Sequence, residues 1–124
     1  MSQSKNNYKE FGQVTTNSII KKTYSINGQG LSIIHLPLAS VILVNSSINA
    51  SKLVLPSDVA PGSETTIIQN NGSNNCTINE SDGNLILGST ANILMTSTGQ
   101  SITLIYTGNS SGWAITANNG AILY

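Results

Sequence analysis

The chain has 124 residues, enough for one domain or a small domain with an arm. Only 8% of them are charged, against about 25% in ordinary soluble domains, and five lysines balance five acids with no arginine present. A neutral surface of Asn, Ser, Thr and Gln offers no field to a phosphate backbone. Nucleic acid is therefore excluded as an expected partner, and so little charge favours a subunit of an assembly over a free monomer.

In chain order, residues 1–27 read as an extended N-terminal arm, polar and without hydrophobic periodicity. Met1–Glu10 carries no apolar run of the kind a secretory signal needs, so synthesis in a cytoplasm without export is expected. Ile19 and Ile20, preceded by Asn17 and Ser18, have the pattern of a short helix start. The first 22 residues hold Lys5, Lys9, Lys21 and Lys22 against Glu10, a net +3. The remainder holds Lys52 against Asp58, Glu64, Glu80 and Asp82, a net −3. Arm and body are thus expected to face different partners. Tyr8, Phe11, Val14, Ile19 and Ile20 supply anchors among the lysines, which makes Lys5, Tyr8, Lys9, Phe11, Ile19, Ile20, Lys21 and Lys22 the expected attachment set.

Asn27–Gly30 is a turn, and residues 28–124 read as a β head domain. Ile33–Val44 is the most apolar stretch but is interrupted by His35, Pro37 and Ser40, so no membrane insertion is expected. From Leu53 onward, short β-branched runs alternate with turn residues: Leu53–Pro56, Pro61-Gly62, Thr65–Asn70, Asn71-Gly72, Asn75–Asn79 and Asp82-Gly83. Leu85–Leu87, Ala91–Met95, Ser101–Tyr106 and Gly112–Thr116 continue the series. Val, Ile and Thr favour extended backbone, while Gly and Asn-Gly supply the φ that tight hairpin turns require. This spacing predicts an all-β fold, a sandwich or barrel. Val41–Val44, Ile67-Ile68 and Leu85–Leu87 are apolar on both strand faces, so an oligomer is expected to cover the second face.

Several of these segments fall in a recurrent order: a strand ending in Leu55-Pro56, the Pro61-Gly62 turn, Thr66–Asn70, Asn74–Ile78, Asp82-Gly83, Gly99–Leu104, and Gly112–Ile115 around Trp113. Leu53–Ile115, about half the chain, resembles a β-rich module of phage and virus fibre, tail and capsid-associated proteins. The resemblance implies a viral structural protein whose head is an antiparallel β-sandwich, jelly-roll-like, or a β-prism: a homotrimer on the virion surface, a short head fibre or a capsid decoration. Its arm would dock on the capsid or another virion protein, and its head would adhere to a host surface or glycan. The receptor-binding tip of a tail fibre is one alternative, and a small carbohydrate-binding module another. Met95–Thr98 and the shortened approach to Trp113 depart from the pattern in loops, and nothing before Leu53 takes part in it.

The residues that could carry chemistry are few. His35 is the only histidine, a strand or turn residue beside Leu36-Pro37, so a metal site would need copies meeting on a threefold axis. Asn79, Glu80, Asp82 and Asn84 cluster loosely like a calcium loop but without its periodic carboxylates, and read as a polar turn. No acid pair has the spacing of a glycosidase, and no triad can be assembled, so neither an enzyme nor a cofactor is expected. The lone Cys76 reads as a small buried hydrophobe. Trp113 reads as packing on the end of the fold, or, with Tyr106 and Tyr124, as a surface for stacking on a sugar ring.

Overall fold

The computed structural model describes residues 22–57, 59–79, 92–108 and 111–124. They form ten strands and no helix: β1 (Thr23–Asn27), β2 (Ile33–His35), β3 (Val41–Asn45), β4 (Ser51–Val54), β5 (Glu64–Asn71), β6 (Cys76–Asn79), β7 (Ile93–Met95), β8 (Ser101–Tyr106), β9 (Trp113–Asn119) and β10 (Ile122–Leu123). Two five-stranded sheets enclose one core. The first runs β1-β3-β5-β8-β9 and the second β10-β7-β6-β4-β2.

The all-β, two-sheet architecture is as expected, but its pairing is not purely antiparallel. The first six strands alternate between the sheets, so β1–β2, β3–β4 and β5–β6 make three successive coils. Like strands stack in parallel: Thr23 lies opposite Val41, 18 residues on, and Ser51 opposite Cys76, 25 residues on. After β6 the chain reverses. β7 and β8 pair antiparallel with β6 and β5, and β9 and β10 fold back on β8 and β7. Asn71-Gly72 is therefore not a hairpin turn but a corner carrying the chain from one sheet to the other. Gly72 is small there because an added Cβ would lie 2.6 Å from the backbone of Ser97 and Thr98.

Thr23–Asn27, which the sequence groups with the arm, belong to the body. Ile26 turns inward beside Val44, and β1 pairs along its whole length with β3. The body thus begins five residues before the expected boundary at residue 28. Inward positions form rows across the sheets. Ile42, Ile67 and Ile102 are in register in the first, and Leu53, Ile78 and Ile93 in the second, all buried. Each such side chain contributes about 1.5–3 kcal/mol relative to exposure. One inward row ends in a polar residue, Ile26–Val44–Gln69. Buried Gln69 ties the corners together: its Oε1 accepts from Ser46 Oγ at 3.0 Å, and its Nε2 donates to the Asn74 carbonyl at 3.0 Å. Ser51 Oγ lies 2.7 Å from Ser46 Oγ and completes the chain of hydroxyls.

Candidate functional site

The outer face of the first sheet is the broadest candidate surface. Along β3, β5 and β8 the buried residues alternate with half-buried ones that point away from the core. Leu43 and Ile68 are directly paired across β3 and β5. Val41, Thr66 and Thr103 form the next row, the two threonine hydroxyls 2.9 Å apart. Glu64, Ile105 and Ala114 form a third. Val41, Leu43, Ile68 and Ile105 therefore place aliphatic side chains on both sides of a threonine pair. The doubled apolar pattern of Val41–Val44 and Ile67-Ile68 in the sequence corresponds to this outward row.

A second candidate lies at the corner beyond β1 and β3. A cavity of about 370 Å³ is lined by Asn27, Gly28, Asn45, Ser47, Ile48 and Asn49. Parallel pairing brings Asn27 and Asn45 side by side, with Asn71 next in the same row. The loop after β3 is held against Gly28, whose N–H donates to the Asn45 carbonyl at 2.9 Å. A Cβ on Gly28 would come within 2.6 Å of the Ala50 carbonyl, so only glycine allows this approach. Asn45 Oδ1 accepts the Ser47 N–H at 2.9 Å, which leaves its amide nitrogen directed elsewhere. The lining has no charge, three carboxamides, one hydroxyl and one exposed aliphatic side chain, Ile48. It can exchange hydrogen bonds with a neutral polyhydroxyl ligand, and it lacks the groups to activate one.

Trp113 packs inside the fold, the first of its two readings, and the alternative, a stacking surface of Tyr106, Trp113 and Tyr124, is not assembled. Tyr106 and Trp113 are directly paired across β8 and β9 and turn inward, 1% and 0% exposed. Their rings meet edge to face at 5.3 Å and 61°, so neither offers a face to a sugar. Trp113 Nε1 is buried without a hydrogen-bond partner among the described residues. Tyr124 is exposed but lies beyond β10 in the other sheet, where its backbone pairs with Asn92.

Of the expected attachment residues only Lys22 is described; it is exposed, and its carbonyl accepts from Val41 N at 3.0 Å. Lys5, Tyr8, Lys9, Phe11, Ile19, Ile20 and Lys21 lie outside the described residues, as do Glu80, Asp82 and Asn84 of the polar turn and the Leu85–Leu87 run. His35 is exposed at the end of β2. Among the described residues no three of His, Cys, Asp and Glu come together, and no helix is long and apolar enough to cross a membrane. Cys76 is fully buried, and burial pushes its thiol up to about 12.

Sequence reasoning missed the groove. The available signal was a weak repeat, Ile26-Asn27-Gly28 and Val44-Asn45-Ser46, at the 18-residue spacing of the first coils. The chain matches no protein-family model and no curated protein.

Proposed function

We propose that this chain is a non-enzymatic structural subunit of a virus particle. It works as a homotrimer that associates through the outer face of its first sheet and is anchored by its N-terminal residues as a head fibre or capsid decoration. The observation that carries the assembly reading is the aliphatic face of Val41, Leu43, Ile68 and Ile105 around the Thr66–Thr103 pair. The likeness of Leu53–Ile115 to fibre and decoration modules supports the virion setting and the trimer. Sedimentation equilibrium at micromolar concentration tests the assembly, with three chains as the smallest unit and masses in multiples of it expected, and a stable monomer refuting it. Leu43→Lys, at a position that points away from the core, is expected to abolish the three-chain unit with little loss of fold. Deleting residues 1–21 tests the anchor: the shortened protein should stay a soluble trimer but no longer co-sediment with particles lacking it.

The carbohydrate-binding module remains the second reading, and the neutral groove of Asn27, Asn45, Ser47 and Asn49 favours it over the buried aromatic pair. A glycan array separates the two readings. Saturable binding by a monomer, lost in Asn45→Ala, would favour the module.

A further inference from the structure

The two sheets end in four edge strands, β1 and β2 at one end of the stack, β9 and β10 at the other. Natural edges are normally protected by charge, proline or cover, because an unpaired row of N–H and C=O groups recruits another strand. None of these four strands contains Lys, Arg, Asp, Glu or Pro.

Both ends also expose large apolar side chains. Tyr24 (46% exposed) occupies an inward-facing position of β1, in the row of buried Ile42, and among the described residues no strand pairs with the outer side of β1. Ile33 on β2 is 55% exposed, and the adjoining loops add Leu31 and Leu38. At the far end Ile122 and Tyr124 are 52% and 62% exposed.

The strand directions match across the gap. β9 is antiparallel to β8 and β8 to β5, so β9 runs the same way as β5, β3 and β1. By the same two reversals β10 runs the same way as β6, β4 and β2. A copy shifted along the stack, without rotation about a two-fold axis, would set β9 beside the next copy's β1 and β10 beside its β2. Both would be parallel pairs of the kind already present inside each chain.

We propose that copies of this chain stack end to end, β9 and β10 of one copy meeting β1 and β2 of the next, so that both sheets continue across the junction. This contact joins unlike surfaces and does not close on itself, so it generates columns. It also buries both apolar ends, whereas a two-fold contact between like ends would leave one set exposed. It is distinct from the lateral face of the first sheet and does not depend on it.

Sedimentation velocity of the full chain carrying Leu43→Lys, which blocks the lateral face, tests the stacking alone. Ile68→Lys replaces it if the first variant lacks the wild-type circular dichroism spectrum. The expected result is a mass that grows with concentration past two chains. Ile33→Glu at one end and Ile122→Glu at the other should each hold the protein at one chain. Mixing the two single-end variants should produce a species of two chains and no larger one, because each retains the opposite intact end. Three results overturn the proposal: growth absent at all concentrations, dimers of one end variant alone, or no pairing on mixing. Coverage of the β1–β2 end by the chain's own residues 1–21 would appear as the first of these.

Discussion

Gln69 gives the sharpest test of how the coils are held. It is fully buried, and it completes an inward row that otherwise consists of Ile26 and Val44. Leucine in its place would keep the size and the strand, but remove an acceptor for Ser46 Oγ and a donor to the Asn74 carbonyl. Two hydrogen bonds at about 1 kcal/mol each are lost, the Asn74 carbonyl loses its amide donor, and Ser46 Oγ keeps Ser51 Oγ as its partner, for a total of about 2–3 kcal/mol. In a domain of this size that is a fall in Tm of roughly 8–12 °C, measured by circular dichroism or calorimetry. Ser46→Ala then supplies a control. In the Gln69→Leu background the Ser46–Gln69 bond is already gone, so Ser46→Ala should cost about 1 kcal/mol less than in the wild type. A Gln69→Leu protein melting within about 2 °C of wild type would refute the reasoning, as would strict additivity of the two substitutions.

Trp113 fluorescence should be blue-shifted, shielded from acrylamide and unchanged by sugars, and Trp113→Ala should cost about 3–5 kcal/mol in a urea titration. A red-shifted, quenchable emission would restore the stacking surface. Cys76 should resist maleimide until the protein unfolds. Its thiol is raised from 9.0 to about 12, so above pH 9 the unfolded chain releases a proton that the folded chain keeps. The associated stability is complete below pH 9 and lost toward pH 12, at about 1.4 kcal/mol per pH unit. Cys76→Ala, compared between pH 9 and 10, should lack that slope. Gly28→Ala forces a Cβ against the Asn49 and Ala50 carbonyls, so a loss of about 1–3 kcal/mol is expected, with a displaced Asn45–Ala50 loop seen by NMR shifts.

The strands themselves were legible because burial follows the alternation of their residues. Ser101–Tyr106 matches β8 residue for residue, and Thr65–Asn70 lies within β5. Their pairing was not. A strand with one buried face shows the same alternation beside a parallel or an antiparallel neighbour, so Asn71-Gly72 reads equally as a hairpin or as a corner between sheets. Residues 23–27 were hidden for a related reason. Of their side chains only Ile26 is buried, and the strand owes its order to five paired positions on β3, which leave no mark in its own composition.

What could be read of the surfaces divides along the same line. The outer face of the first sheet was visible because Val41 and Leu43 are apolar at positions that alternate with buried Ile42 and Val44, a property of one strand. The groove was invisible because Asn27 and Asn45 become neighbours only through the 18-residue parallel register. The aromatic residues left two readings open, packing and sugar stacking, and the register that sets Trp113 across from Tyr106 decides for packing by pointing both rings inward. Edges are the extreme case, since β1, β2, β9 and β10 are edges only by virtue of the strand order. Their lack of charge passes unnoticed in a chain with so few charges. It acquires meaning only once the topology shows that, among the described residues, these are the strands at which the two sheets end.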